Sequence, residues 1–176
     1  MSLYIENAQK FTIRPSAKRK LASEQYHDVT IDSQVNLNLI QFYNTYPSSE
    51  VNGNFMTRWK MYADTPMDES VSQMLYPDIK NKIEGLSDVQ AVNQILNWVQ
   101  TAFQYEYDDK VWGHDRAFFA EETLYYPYCD CEDRAILFTR LVRDLLGLKC
   151  ILVYYPGHLA SAVCLKQQVN GDYISL

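Results

Sequence analysis

The sequence predicts an α+β fold in which a helix opened by Cys131 packs on an antiparallel sheet that carries His158. Three observations predict it. Behind Cys131, Phe138, Leu141, Val142 and Leu145 recur at i, i+3, i+4 and i+7, one buried helical face that Gly147 ends. Lys149 to Tyr155 is a β-rich run, Pro156-Gly157 breaks it, and a second strand runs from His158 to Leu165. Ahead of both, Leu86 as a staple and Ser87 with Gln90 as a capping box open a helix whose Val92, Ile95, Leu96, Val99 and Phe103 share a face.

Taken in order, Leu3 to Arg14 alternates as a strand does, with Phe11-Thr12-Ile13-Arg14 its clearest part, and Val29-Thr30-Ile31-Asp32 repeats the pattern. Ala17 to Gln25 is polar and reads as a loop or short helix. Val35 to Leu39 alternates, yet Leu39, Phe42 and Tyr43 fit a helix, and Pro47-Ser48-Ser49-Glu50 marks a loop. Residues 1–50 thus read as a β-rich leader, the tail of a preceding domain, and residues 51–176 as the main domain, helical in its first part. There, Thr65-Pro66-Met67-Asp68 supplies a helix start with proline in the first turn and a T-x-x-D box, and Pro77 divides the helical stretch behind it into two short helices ended by Gly85. The helix after Ser87 should pack on the one after Cys131. Between them, Tyr105 to Tyr128 is aromatic and acidic, and Trp112, Phe118, Phe119, Tyr125, Tyr126 and Tyr128 either wall a groove or cover the core.

Composition removes several function classes. A chain of 176 residues, 47% hydrophobic, can bury a core of ordinary size. Its net charge of −6 and pI near 5.0 argue against a nucleic-acid partner, because phosphate neutralisation needs clustered cations and Lys18-Arg19-Lys20 is too short a cluster. No run approaches the roughly 18 apolar residues of a transmembrane helix. Four cysteines do not make a disulfide scaffold, and Cys150 and Cys164, alternating with apolar strand neighbours, read as core. There is no internal repeat and no glycine-rich phosphate loop.

The chemistry gathers at Cys129-Asp130-Cys131-Glu132-Asp133. Asp130 stands where an N-cap belongs, and Asp133 can reach back in a D-x-x-D capping box. Cys131 is then in the first turn, where backbone N–H groups and the positive end of the dipole favour a thiolate. Three carboxylates oppose this by like charge, so a counter-charge is needed: Arg134, a bound cation or a histidinium. Zinc is disfavoured, since Cys129 and Cys131 lack the usual thiolate spacing. A hard cation such as calcium could take oxygens of Asp130, Glu132 and Asp133, and the plainer alternative is acidic capping of the helix.

The run Val111-Trp112-Gly113, then Glu122-Thr123-Leu124, then Asp130-Cys131-Glu132-Asp133, then Gly157-His158 and Ala162-Val163, resembles the bacterial transglutaminase-like cysteine proteinases of the papain-related transglutaminase-like superfamily. Two departures stand out: Cys129 replaces a glycine, and the Ala-Val of the histidine motif is displaced. The resemblance implies Cys131 as nucleophile, His158 as base, an Asp or Asn on the following strand as third residue, a protein or peptide substrate, no required cofactor and calcium at Asp130 and Glu132. It also implies a bacterial cell envelope or secreted location if a leader was removed, and a cytoplasmic one otherwise. Asp172 is the nearby acid, but Asn170-Gly171 reads as a two-residue turn that puts the partner of His158 near position 183, beyond Leu176. The sequence therefore reads as a domain fragment. The expected activity is acyl transfer on peptide or side-chain amides, hydrolysis before transamidation, and the alternative is a catalytically silent protein- or peptide-binding module. The sequence does not determine the oligomeric state.

Overall fold

The computed structural model describes residues 11–46, 54–166 and 169, and these form an α+β fold. Leu3 to Lys10, the loop from Pro47, the Asn170-Gly171 turn and Asp172 lie outside the described residues.

Strands β1 (Arg19–Ala22) and β2 (Thr30–Ser33) pair antiparallel, with Leu21 opposite Ile31. The stretch read as loop or short helix thus holds a strand. Its inward residue decides this: Leu21 and Ile31 are both buried, and the Leu21 carbonyl accepts the Trp98 indole N–H at 2.9 Å. Phe11 to Arg14 forms no ladder. Its Arg14 amide donates instead to Asn36 Oδ1, 3.0 Å, and Pro15, which has no N–H, makes a single bridge to Asn36. Asn36 also caps α1 (Leu37–Thr45), so the ambiguous Val35 to Leu39 stretch resolves as a helix start.

Helix α2 (Phe55–Asp64), capped by Asn54, was not predicted, although Trp59, Tyr62 and Ala63 lie on one buried face at helical spacing. Thr65 ends this helix rather than beginning the next, its amide donating to Met61 and Tyr62 carbonyls. Asp68 caps α3 (Glu69–Ile83), which runs unbroken through Pro77. A proline removes one helical hydrogen bond, but Val71, Leu75, Ile79 and Ile83 are four apart and buried, and that stripe outweighs the loss. The Ser87–Gln90 capping box forms as expected and opens α4 (Asp88–Thr101), which packs on the helix after Cys131.

The remaining elements are β3 (Gln104–Tyr105), α5 (Asp108–Val111), α6 (Ala120–Tyr125), β4 (Tyr128–Cys129), α7 (Cys131–Leu141), β5 (Cys150–Tyr155) and β6 (His158–Val163). Strands β3 and β4 pair parallel and deliver the chain to Cys131. A π-type turn, Val142–Leu146, extends α7 to the left-handed Gly147. Strands β5 and β6 form an antiparallel hairpin from Tyr155 opposite His158 to Cys150 opposite Val163. Cys150 is core as expected. Cys164 is not: the ladder ends one residue before it, and its side chain is exposed.

The core crosses the expected boundary at residue 50. Tyr43 of α1 and Tyr62 of α2 stack on Phe119, with ring centroids 4.1 Å and 4.0 Å away. The aromatic segment after Tyr105 mainly covers this core. Phe118 and Phe119 are fully buried, and the Arg116 guanidinium lies 4.3 Å from the Trp112 ring.

The turn of the β5–β6 hairpin depends on Gly157, whose φ is +74°. Gly157→Ala should lower stability by about 1 kcal/mol in chemical denaturation, because a Cβ disfavours that region even where space is open. An unchanged midpoint would mean that the turn readjusts without strain.

Candidate active site

Helix α7 begins with a reciprocal cap. Asp130 Oδ1 accepts the amides of Glu132 (3.0 Å) and Asp133 (3.4 Å), and Asp133 Oδ2 accepts the Asp130 amide (3.1 Å). Asp133 Oδ1 takes the Phe118 amide at 2.8 Å, so this buried carboxylate ties the helix start to the preceding loop. Cys131 is therefore held at the first helical position by backbone on both sides.

The hairpin is fastened along the same helix. The Thr139 and Ser161 hydroxyls lie 3.0 Å apart, Ser161 donates to the Ala135 carbonyl (3.2 Å), and Arg143 donates to the Cys150 carbonyl through Nη2 (2.6 Å). Leu159 is buried against the core, and its amide hydrogen-bonds the Cys131 sulfur. The Tyr105 hydroxyl hydrogen-bonds the same sulfur from β3. Next to this junction opens a cleft of about 380 Å³, lined among others by Arg58, Trp59, Asp115, Cys131, Glu132 and His158. Cys131 is half-buried, His158 is exposed at the head of β6, and both face this one cleft. Among the described residues no side chain hydrogen-bonds the imidazole.

Burial pushes the Cys131 thiol up, and the Asp130 and Glu132 carboxylates add to this; the Leu159 amide and the residue's own amide pull it back without reversing the direction. The two opposing influences foreseen from sequence thus resolve toward a protonated thiol. Cys129 is pushed up to about 12, chiefly by burial, which suits an inert core thiol. Burial, then the charge of Asp130 and Asp115, lifts Glu132 to about 8, and burial lifts Asp108 to about 6. At neutral pH Glu132 accordingly keeps its proton much of the time, and the like charge around the sulfur is smaller than the sequence suggests.

Arg134 offsets part of this charge, favouring the ionised form of Asp130. Its guanidinium is held by the Phe103 carbonyl (2.7 Å) and lies 4.9 Å from the Tyr105 ring. Arg58 of α2, buried at 5% exposure, is a second cation among the acids, 2.7 Å from Asp115 and 3.6 Å from Glu132 Oε1. Neither Arg58 nor its neighbour Trp59 belongs to a motif, and no element is predicted from sequence on the helix that carries them. Tyr154, another lining residue, lay within a correctly placed strand but carries no motif.

Two sets of acids, Asp108 with Asp115 and Glu132, and Asp130 with Glu132 and Asp133, bring oxygens within 4.8 Å of one another, a spacing that suits a hard cation. Both oxygens of Asp133 are already engaged by amides, which leaves Asp130 and Glu132 as the better donors of the second set. No described helix is long and apolar enough to cross a membrane. Compared with protein-family models, with curated proteins and with solved structures, the chain matches none of them.

Proposed function

We propose that the chain is a transglutaminase-like domain that performs cysteine-dependent acyl transfer on peptide or side-chain amides, with water as the favoured acceptor. One observation carries the reading: a half-buried thiol at a helix N-terminus and an exposed histidine at a strand head line the same cleft. His158 takes the Cys131 proton as the sulfur attacks the amide carbon. The Cys131 backbone N–H donates to the oxyanion that forms. Collapse breaks the C–N bond, the imidazolium protonates the departing amine, and a thioester remains. Water, deprotonated by His158, then attacks the thioester and releases the acid and the thiol. An amine in place of water makes the reaction transamidation. Because burial raises the thiol pKa, the proton moves during attack rather than beforehand. Calcium stays a proposal for Asp130 and Glu132: it would screen the carboxylates beside the sulfur, and no step above passes through it.

The upward shift of Cys131 also favours a second reading, a silent module that binds peptide in the same cleft. An activated ester, p-nitrophenyl acetate, separates them, with acetylation of each cysteine followed by peptide mass. The enzyme reading expects Cys131 to acylate ahead of the exposed Cys164, with a loss of roughly 10²–10⁴-fold on His158→Ala. Equal labelling of the two cysteines, indifferent to His158, would leave the binding module.

A further inference from the structure

The cleft beside Cys131 gathers more acids than acyl transfer needs, and a cation arriving at Glu132 displaces the proton that its buried carboxyl otherwise retains. Asp115, Asp130 and Glu132 line it against one guanidinium, Arg58. Arg58 lies at 2.7 Å from Asp115 but 3.6 Å from Glu132 Oε1. That oxygen belongs to a residue only 5% exposed and has no hydrogen-bond donor among the described residues. A buried acceptor without a donor is unfavourable, and a ligand that brings an N–H to it relieves the penalty. Trp59 and Tyr154 line the same cleft with ring centroids 5.7 Å apart, offering aromatic faces to an alkyl stem and its positive head. The mouth carries Asp115, whose side chain is 68% exposed and can meet an incoming cation by rotation.

We propose that the cleft selects a lysine-type ammonium. The substrate peptide presents a basic side chain to Glu132, its methylene stem along Trp59 and Tyr154, next to the acyl group offered to Cys131. The substrate class rests on the acyl-transfer reading, whereas the binding preference does not require the chemistry. A metal ion would use the acids but not the aromatic faces, and a neutral apolar side chain would use the faces but not the acids.

The test is calorimetric titration of the full chain carrying Cys131→Ala, in EDTA, with Nα-acetyl-lysine methylamide and with its norleucine counterpart, which keeps a similar stem and lacks the charge. The lysine probe should bind at least about tenfold more tightly. Glu132→Gln should remove that preference. Asp115→Asn, at an exposed position, should weaken it and decides the matter if the Glu132 variant does not fold. Equal binding of the two probes, no binding of either, or a preference that survives both substitutions overturns the proposal. Calcium chloride is titrated alone as well: calcium binding that the lysine probe cannot displace makes these acids a metal site and also overturns it. Acylation of Cys131 by p-nitrophenyl acetate is measured separately on the unaltered protein, so lysine selectivity and acyl transfer can fail independently.

Discussion

Phe119→Ala should destabilise the fold by about 4 kcal/mol, read as a shift of the denaturation midpoint without a change of slope. Phe119 is 1% exposed, lies between the rings of Tyr43 and Tyr62 at 4.1 Å and 4.0 Å, and meets Tyr46 edge-on at 5.6 Å. Removing it loses the transfer energy of a benzyl group, two stacked contacts and one edge contact, and leaves a cavity between helices α1, α2 and α6 that rigid aromatic neighbours cannot collapse. The adjacent Phe118 amide bonds Asp133, so the change should also slow acylation of Cys131 by loosening the α7 start. A loss below about 1 kcal/mol would mean that α1 and α2 do not depend on this stack in solution.

Glu121→Gln should stabilise the protein at alkaline pH and leave it unchanged in mild acid. Glu121 is 1% exposed, accepts the Asp68 amide and hydrogen-bonds Tyr43, and burial lifts its carboxyl from the ordinary 4.5 to about 7. The folded-state value lies above the unfolded one, so above about pH 4.5 the unfolded chain releases a proton that the folded chain retains. Stability therefore falls as pH rises from about 4.5 to about 7, by about 3 kcal/mol, and is level beyond. Asp108, near 6, and Glu132, near 8, shift in the same direction and widen the window. Glutamine keeps the carbonyl acceptor and cannot ionise. Melting temperatures of the two proteins should coincide near pH 4.5 and separate toward pH 8. Parallel curves across that range would mean that the Glu121 carboxyl is no more raised than a surface carboxylate.

The features legible in the sequence were local. The Asp130–Asp133 and Ser87–Gln90 boxes, the Pro156-Gly157 turn, the strands on either side of it and the faces of α4 and α7 each depend on residues within about four positions of one another, and each formed. Where local signals compete, the tertiary contacts decide between them. Thr65-Pro66-Met67-Asp68 contained a real helix start, but Asp68 serves as the cap and Thr65 closes the helix before it. Pro77 reads as a break because the sequence shows the missing amide and not the buried stripe that holds the helix through it. Cys164 alternates correctly for a core strand, yet burial depends on what covers a strand and not on its period.

The site divides in the same way. The sequence by itself determined that Cys131 opens a capped helix, that His158 heads a strand, and that acids crowd the sulfur, because each follows from a residue and its immediate neighbours. Only the tertiary structure decided that the two share a cleft, that Arg58 joins Arg134 in offsetting the acids, and that Leu159 and Tyr105 hold the thiol. Those outcomes depend on helices and strands far apart in the chain meeting through buried surface. Charge balance in a cleft is set by distance and desolvation in three dimensions, which no spacing along the chain encodes.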